Sequence, residues 1–372
     1  PWRGFMLADS MMQLNESDLI DALARPPEGD FSWVKPGRVI WDWWCYYDNQ
    51  GVEKGCTTQS YRRYIDFAAK HGIEYVYLDG VSDVERTIFW DKVPKFDIPG
   101  LVQYAKQRGV GLFVWLPISW FKGNEADLIE WAADVGLKGF KIDYLDRGDA
   151  EMERFVWRFA DLCAKRKLMV DIHDEYRLTG IQKTFPNVLT VEGICGNEEM
   201  PNAAHNCALP FTRYLDGPGD YTPCWTVGRV KNTLAHQLAL PCVYTSGWQF
   251  LFWYQRPDQI PESDPALDFW RELPVSFDET RFLQGEIGKF AVVARRSGNR
   301  WFVGGINGLA RRTFTLDTSF LGEGEWSCRL FRDADPALKS GLGKVAVESL
   351  PVNGKLQIEA AARGGFAAIF ER

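Results

Sequence analysis

The residues best suited to chemistry lie in a short run at positions 139–144, Gly-Phe-Lys-Ile-Asp-Tyr. Its composition predicts a strand, in which alternate side chains share a face, so Lys141 and Asp143 point one way while Phe140 and Ile142 pack on the other. A lysine beside the aspartate favours the ionised carboxylate. If the strand belongs to a parallel barrel, Asp143 lies at the end where catalytic groups collect. The run alone leaves open a simple Lys–Asp pair on a strand edge.

Further polar and aromatic residues stand at the ends of predicted strands. Carboxylates at the ends of at least four strands are hard to explain structurally, because each buried charge needs a partner. Aromatic faces contact sugar rings and carboxylates serve as acid, base or nucleophile, so the pattern favours a carbohydrate site, although most of the 16 Trp residues are expected in the core. The candidate residues from this pattern are Trp41, Asp42, Asp79, Trp115, Asp143, His173, Asp174, Glu192 and Glu198.

The elements that must position these residues alternate regularly. Helices that stop at Gly72, Gly109 and Gly136 lead into strands, and glycine tolerates the left-handed turn at a helix end. This rhythm predicts parallel strands joined by crossover helices. The four predicted helix–strand units are 57–70 with 73–79, 101–107 with 110–115, 125–135 with 137–143, and 151–165 with 168–173.

Four more strands bring the predicted number to eight. A (β/α)8 barrel takes roughly 250 residues, which agrees with the length available. The alternative is an open doubly wound sheet, but no Gly-rich phosphate loop follows the first strand. The additional strands are 38–44, 187–192, 211–215 and 241–246, with a helix at 228–240 before the last.

The predicted domain organisation has three parts. Residues 1–37 form a lead-in segment with one helix at 16–24, which Asn15 caps. Residues 38–274 form the (β/α)8 TIM barrel, which makes the chain an α/β protein. From about Val275, short alternating runs parted by Gly, Asn and Asp predict an antiparallel β-sandwich domain over 275–372. Its expected strands include 289–295, 300–306, 312–316 and 327–331.

Bulk composition excludes several classes of protein. The 372 residues are 46% hydrophobic and 25% charged, which suits a globular protein, and no stretch is long and apolar enough to span a bilayer. The net charge of -7 comes without acidic or basic runs, so nothing indicates nucleic acid or a membrane surface as a partner. The 8 cysteines are scattered without a C-x-x-C pair, which argues against zinc and against a disulfide scaffold. The oligomeric state cannot be read from the sequence.

Longer motifs, in order over nearly the whole chain, resemble glycoside hydrolase family 97. The resemblance implies an exo-acting α-glycosidase, either α-galactosidase or α-glucosidase, with a catalytic (β/α)8 barrel and a C-terminal β-sandwich. It also implies an oligosaccharide or α-glycoside substrate and a periplasmic or secreted location. The motifs lie at residues 2–5, 32–37, 41–44, 141–143, 179–180, 184–187, 192–198, 220–223 and 277–280.

The resemblance also assigns roles to individual residues. Asp143 matches the nucleophile of retaining members, and Glu198 matches the acid that protonates the leaving oxygen. Inverting members lack this aspartate and use base glutamates, one of which aligns with Asp174, so an inverting α-glucosidase is the alternative. The substrate-binding residues expected are Trp41, Asp42, Asp79, Trp115, Lys141, His173, Asp174 and Asp220.

A calcium ion is the cofactor that the resemblance implies. Glu192 and Glu198 match glutamates beside that ion. Family members begin with an N-terminal β-sandwich that contributes a further ligand, and this chain begins where that domain should end. Because calcium needs several oxygen ligands, we expect a Ca²⁺ site of reduced affinity, or none.

Two other function classes are compatible with the residues. Lys141 at the end of a barrel strand is a candidate for a Schiff base, as in aldolase-type lyases, but an adjacent Asp143 would keep the amine charged. The protein could also bind carbohydrate without cleaving it. Trapping with borohydride detects the first class, and binding without hydrolysis of an aryl α-glycoside detects the second. His173 has an ordinary alternative too, as a hydrogen-bonded core histidine.

Overall fold

Eight parallel strands form where apolar runs end in polar residues. The structure is a computed structural model that describes residues 4–42, 57–79, 97–121, 123–174, 176–178 and 180–372. Nearly every residue of these strands is buried, as expected for a parallel sheet covered on both faces. The strands are β1 (Gly37–Trp41), β2 (Tyr75–Leu78), β3 (Gly111–Pro117), β4 (Gly139–Asp143), β5 (Met169–Ile172), β6 (Val188–Val191), β7 (Cys224–Trp225) and β8 (Trp248–Trp253).

Helices cover the sheet, and their ends follow from local sequence. Thr57 and Ser60 form a capping box at the start of one helix, which Gly72 ends in the left-handed conformation. The Asp149 side chain caps another by accepting hydrogen bonds from two backbone N–H groups. The described α-helices are Met11–Asn15, Leu19–Leu23, Thr58–His71, Ile98–Lys106, Glu125–Val135, Ala150–Lys165, Ile181–Thr184, Ala203–Ala208, Leu234–Val243 and Pro265–Trp270.

The strand order shows that the sheet curls into a TIM-like barrel. The order is β6-β5-β4-β3-β2-β1-β8-β7, so the first strand lies between the second and the last. Irregular backbone bridges the remaining gap: Asp220 N–H donates to the Val191 carbonyl at 3.0 Å and Gly219 N–H to the Thr245 carbonyl at 2.8 Å. The (β/α)8 prediction is therefore confirmed, and the open doubly wound alternative is wrong.

Two of the predicted barrel strands, 211–215 and 241–246, are wrong. Residues 211–215 form 3-10 turns at Leu209–Phe211 and Arg213–Leu215 instead of a strand. Residues 241–243 end the helix Leu234–Val243, and the last two strands lie elsewhere, at β7 and β8. Short apolar runs do not distinguish a buried strand from a helix that is buried on all sides.

The lead-in segment also differs from its prediction. Instead of one helix at 16–24, it holds the two short helices Met11–Asn15 and Leu19–Leu23. Ser10 caps the first, so Asn15 ends a helix rather than starting one. The two helices are separated by residues 16–18. The sequence does not signal this interruption, because no Gly or Pro lies between residues 15 and 19.

The C-terminal domain is an antiparallel β-sandwich, as predicted. Its strands are β9 (Glu279–Glu286), β10 (Phe290–Ser297), β11 (Arg300–Asn307), β12 (Arg312–Asp317), β13 (Ser327–Asp333), β14 (Val345–Pro351), β15 (Lys355–Ala360) and β16 (Gly365–Glu371). One sheet has six strands in the order β14-β13-β16-β11-β10-β9, and β12 pairs with β15 in the other. Apolar residues from both sheets, such as Phe314 and Phe366 with rings 5.3 Å apart, fill the space between them.

The helix Leu234–Val243 lies between the two domains. Arg295 of β10 donates to the Cys242 and Val243 carbonyls at the end of this helix. Asp333 of β13 accepts a hydrogen bond at 2.6 Å from Thr233, the N-cap residue of the helix. The C-terminal domain thus satisfies polar groups at both ends of a barrel helix, and the two domains share this buried element. No helix within the described ranges has the length and apolarity needed to cross a membrane.

Candidate active site

Asp143 is the last residue of β4, and three donors hold its carboxylate. Oδ1 accepts from the Tyr144 backbone N–H at 2.6 Å and lies 3.1 Å from His173 Nδ1. Oδ2 accepts from Trp115 Nε1 at 2.8 Å. Trp115 stands on β3 and His173 follows β5, so the two neighbouring strands of the barrel grip the side chain from both sides.

These donors keep Asp143 ionised although it is only 7% exposed. Burial raises the pKa of the carboxyl group, but the hydrogen bond and the charge of His173 outweigh it, together with the donors from Tyr144 and Trp115. The net result is a pKa lowered to about 2. A buried carboxylate that is charged at neutral pH and lies at a barrel mouth can act as a nucleophile.

His173 lies between two carboxylates. Its Nδ1 is 3.1 Å from Asp143 Oδ1 and 3.2 Å from Glu192 Oε2. Burial and the charge of Lys141 lower the pKa of His173, but Glu192 and Asp143 outweigh them and raise it to about 9. The imidazole is therefore a cation that bridges the two acids, not an uncharged core histidine.

The loops after β4 and β5 are strained and interlocked. Tyr144 and Asp174 have positive φ angles of 59° and 75°, which are uncommon for residues other than glycine. Asp174 N–H donates to Glu192 Oε2 at 2.6 Å, and Asp174 Oδ2 accepts from Asp146 N–H at 3.1 Å. Strain of this kind persists only where surrounding contacts fix the backbone, and it clusters at functional sites.

Lys141 does not serve as the cation for Asp143, contrary to the sequence-based expectation. Its ammonium lies 2.5 Å from Asp220 Oδ2 and 3.5 Å from Asp171 Oδ2, under the ring of Phe250 at 4.4 Å. Burial lowers the pKa of Lys141, but Asp220 and Asp171 outweigh it and raise the pKa above its usual value. A charged, ion-paired amine is a poor nucleophile, so the structure argues against a Schiff-base lyase.

Asp171 is a site residue that the sequence analysis missed. It is fully buried, and burial, followed by the nearby Asp220, raises its pKa well above the usual value. The charge of Lys141 acts in the opposite direction and favours the ionised carboxylate. The signal was available: residues 141 and 143 share a face of β4, and the same alternation places Asp171 and His173 on one face of the next strand.

The carboxylates after β1 and β2 also lie in the barrel mouth. Asp42 is buried at 4% exposure. Burial raises the pKa of Asp79 to about 6, against the opposing effect of Lys141. Trp41 differs from Trp115 because it packs into the barrel, with its ring 5.3 Å from that of Tyr77. Trp115, by contrast, donates a hydrogen bond to the candidate nucleophile Asp143.

Glu198 is exposed on the loop after β6, close to His173 and Glu192. One possible ligand atom from each of these three residues lies within 4.8 Å of the other two. A protonated imidazole offers no lone pair to a metal, but carboxylate oxygens are the ligands that calcium prefers. Within this cluster, the carboxylates of Glu192 and Glu198 are therefore the groups that carry oxygen donors of the kind calcium takes.

Most residues of the motifs that resemble family 97 lie in the described part of the chain. Residues 2–3, 43–44 and 179 lie outside the described residues. Two of the cysteines, Cys45 and Cys56, also lie outside them, and the described ones are free thiols. The motif residues from Lys141 to Asp143 and from Glu192 to Glu198 are all described.

Comparison with known proteins gives a consistent result. Residues 41–194 match the family described as Glycoside hydrolase 97, and residues 276–371 match Glycosyl-hydrolase 97 C-terminal, oligomerisation. A protein of Bacteroides thetaiotaomicron named "Retaining alpha-galactosidase" is 35% identical over 99% of this chain and 59% of its own length. A "Probable retaining alpha-galactosidase" of Streptomyces bingchenggensis is 33% identical over 99% of this chain and 58% of its own length.

A solved structure agrees with these relatives. The family 97 enzyme of Pseudoalteromonas sp. strain K8, in complex with acarbose, superposes with a TM-score of 0.88 at 28% identity, over 98% of this chain and 64% of that one. The chain spans about three fifths of the length of the two curated relatives. Matches to both its barrel and its C-terminal domain show that the chain belongs to glycoside hydrolase family 97.

Proposed function

We propose that this protein is an exo-acting retaining α-glycosidase that prefers terminal α-galactosides. The observation that carries the proposal is the ionised Asp143 carboxylate, held by His173, Trp115 and the Tyr144 N–H at the C-terminal end of β4. The names of the two curated relatives support retention and galactose as the sugar.

The proposed mechanism is a double displacement. Asp143 attacks the anomeric carbon and forms a covalent glycosyl–enzyme, while Glu198 donates a proton to the departing oxygen. Glu198 then takes a proton from the water that hydrolyses the intermediate. The exposed position of Glu198 suits this role because the leaving group and the water must both reach it.

The remaining polar residues of the mouth are proposed to bind the sugar. Asp42, Asp79 and the pair of Lys141 with Asp220 offer charged donors and acceptors below the catalytic carboxylates. Trp115 offers an aromatic face next to Asp143. Together these groups can form hydrogen bonds with several hydroxyl groups of one terminal sugar, as an exo-acting enzyme requires.

A calcium ion held by Glu192 and Glu198 is part of the proposal. Such an ion would supply positive charge beside the leaving group. Both glutamates have the oxygen donors that calcium prefers. Glu192 is also fixed by the Asp174 N–H and by His173, so its carboxylate is already oriented.

Hydrolysis of aryl α-glycosides tests the function. We expect cleavage of an aryl α-galactoside in preference to the α-glucoside, and proton NMR of the early hydrolysate should show the α-anomer first, because two inversions restore the configuration. The β-anomer appearing first would instead assign Asp174 as the base of an inverting enzyme. Binding of galactose without hydrolysis of any aryl glycoside would mean a carbohydrate-binding protein.

A further inference from the structure

We propose that Asn197 and Tyr221 are positioning residues for Glu198, at one end of a buried hydrogen-bond chain that is anchored in the C-terminal domain at Gly364. The inference deepens the proposed function and rests on it, since it concerns the carboxyl group that would protonate the leaving oxygen. Neither residue touches the reacting atoms, so both act through Glu198.

Glu198 stands on a short turn whose ends are fixed. Asn197, its neighbour, is 2% exposed, whereas Glu198 itself is exposed. The Asn197 carbonyl accepts from Met200 N–H at 3.3 Å, and Met200 is buried with a positive φ of 52°. The position of the Glu198 carboxylate therefore depends on how firmly Asn197 is held.

The Asn197 side chain has a buried partner on each of its atoms. Nδ2 donates to the Thr222 carbonyl at 2.8 Å and to Gln237 Oε1 at 2.8 Å, and Oδ1 accepts from the Tyr221 hydroxyl at 3.0 Å. A backbone carbonyl can only accept, so the contact with Thr222 fixes which way the amide faces. The side chain is thus held in one orientation.

Gln237 is fixed by the same logic. Its Oε1 also accepts from Cys224 N–H at 2.7 Å, and its Nε2 donates to Asn232 Oδ1 at 2.7 Å. Because Gln237 belongs to the helix Leu234–Val243, Asn197 is tied to the element that lies between the two domains.

From Tyr221 the chain of hydrogen bonds continues into the C-terminal domain. The Tyr221 hydroxyl is 3.1 Å from Asn206 Oδ1, and Asn206 Nδ2 is 3.1 Å from His236 Nε2. His236 Nδ1 is 3.0 Å from the Gly364 carbonyl, so Nδ1 carries the proton and Nε2 accepts. Burial lowers the pKa of His236 to about 4, which agrees with a neutral ring.

The ends of the chain therefore determine the direction of every hydrogen bond in it. The single hydroxyl proton of Tyr221 is shared between two side-chain amide oxygens, Asn197 Oδ1 and Asn206 Oδ1. Removing that hydroxyl leaves Asn197 Oδ1 with the long contact from Gln237 Nε2 at 3.5 Å. The Asn197 amide then keeps its two Nδ2 hydrogen bonds but loses the one that holds Oδ1, so the adjacent Glu198 is held less firmly.

The leaving group reports on this loss. Protonation by Glu198 matters for a basic leaving group such as phenol and hardly at all for 2,4-dinitrophenol, which departs as a stable anion. A merely structural defect would lower both rates alike. The ratio of kcat/KM for the phenyl and the 2,4-dinitrophenyl α-galactoside therefore separates positioning from stability.

The experiment compares Tyr221→Phe with Tyr244→Phe. Tyr244 is the matched control because its ring lies 5.0 Å from that of Tyr221. Its buried hydroxyl donates to the backbone carbonyl of Asn206 at 2.9 Å and not to Asn197. We expect Tyr221→Phe to lower kcat/KM for the phenyl galactoside about tenfold, the size of one lost hydrogen bond, and for the dinitrophenyl galactoside by less than about twofold. Tyr244→Phe should leave the ratio unchanged.

Two further variants keep the outcome decisive. Asn197→Ala should change the ratio in the same direction, and it replaces Tyr221→Phe if that variant does not fold. Glu198→Ala should show the largest change in ratio. Equal losses on both substrates in Tyr221→Phe and Asn197→Ala, while Glu198→Ala retains its leaving-group dependence, would overturn the inference alone. Equal losses in Glu198→Ala, or no hydrolysis by the wild type, would overturn the proposed function and the inference with it.

Discussion

At the residue scale, the charge state of Asp143 depends on His173 more than on Lys141, which lies two positions before Asp143 in the same strand. His173 donates toward Asp143 and Glu192, and its charge keeps Asp143 ionised in a buried position. Lys141 instead balances the acids Asp220 and Asp171. The barrel mouth therefore holds two ion-paired groups, one in which His173 contacts Asp143 and Glu192 and one in which Lys141 contacts Asp220 and Asp171.

The first prediction concerns the nucleophile. Asp143→Ala should lower kcat by about 10³-fold or more, because the covalent step loses its nucleophile. Added azide should restore part of the activity on an activated aryl galactoside, since a small anion fits the space of the lost carboxylate, and the product should be the β-galactosyl azide. Rates with and without azide, and NMR of the product, check both expectations.

Asp174→Ala provides the comparison for this prediction. If Asp174 were the base of an inverting enzyme, azide would rescue Asp174→Ala and not Asp143→Ala. Unchanged activity in Asp143→Ala would exclude it as the nucleophile.

The sequence could predict which residues reach the mouth but not all of their partners. Asp143, His173 and Glu192 follow from the polar ends of β4, β5 and β6, because parallel strands bring their C-terminal ends together. The contact of Lys141 with Asp220 joins residues 79 positions apart, and Asp220 lies between β6 and β7 in a stretch without a regular strand. Local alternation carries no information about such a pairing.

At the element scale, the pairing of β4 with β5 leaves no space for a side chain at Gly139, the first residue of β4. A Cβ on Gly139 would lie 1.9 Å from the Met169 carbonyl oxygen of β5. Backbone atoms of a central strand cannot move aside without breaking the pairing between β4 and β5. This close approach aligns Asp143 with His173.

The second prediction follows from that contact. Gly139→Ala should lower the free energy of unfolding by about 3 kcal/mol, because the strand and its neighbour must separate to admit the methyl group. Chemical denaturation monitored by tryptophan fluorescence measures this. Gly148→Ala is the control, since a Cβ at Gly148 meets nothing within 4 Å. Equal stability of the two variants would contradict the steric argument.

The helix Leu234–Val243 shows why one element was assigned incorrectly. Sequence periodicity detects a helix by its polar face, and this helix has none because the barrel and the C-terminal domain bury both sides. Residues 241–243 therefore resemble a strand when considered alone. Its assignment requires knowledge of the second domain, which only the folded structure supplies.

At the scale of the whole molecule, His236 links the stability of the domain interface to pH. Burial lowers its pKa from 6.5 to about 4. The unfolded chain thus takes up a proton at a higher pH than the folded one, so the stabilising contribution is complete above pH 6.5 and is lost as pH falls toward 4. The ring stays neutral over this range and keeps its contact with the Gly364 carbonyl.

The third prediction uses this difference. Between pH 6.5 and 4, protonation of His236 in the unfolded chain should cost the wild type about 3 kcal/mol of unfolding free energy. In His236→Gln this part of the pH dependence should disappear, although the variant is less stable at neutral pH. Denaturation curves at several pH values provide the measurement. Parallel pH profiles for the two proteins would show that the buried histidine does not control acid stability.

The last prediction concerns calcium. If Glu192 and Glu198 hold the ion, a chelator should lower kcat/KM, and calcium should restore it better than magnesium, which demands near-ideal octahedral geometry. Binding should also be visible without any substrate, because a ligand that binds only the folded protein stabilises it by about 2.7 kcal/mol at 100 times its Kd. Calorimetric titration and thermal unfolding with each metal measure these effects.

Glu192→Gln and Glu199→Gln form a matched pair for this test. Both substitutions remove one carboxylate near the turn of Glu198, but Glu199 lies outside the cluster of candidate ligands. Glu192→Gln should abolish the stabilisation by calcium, whereas Glu199→Gln should retain it. If the wild type is indifferent to chelator and shows no heat of binding, the two glutamates alone are too few oxygen donors to hold the ion, and Glu198 would act as an acid without a metal beside it.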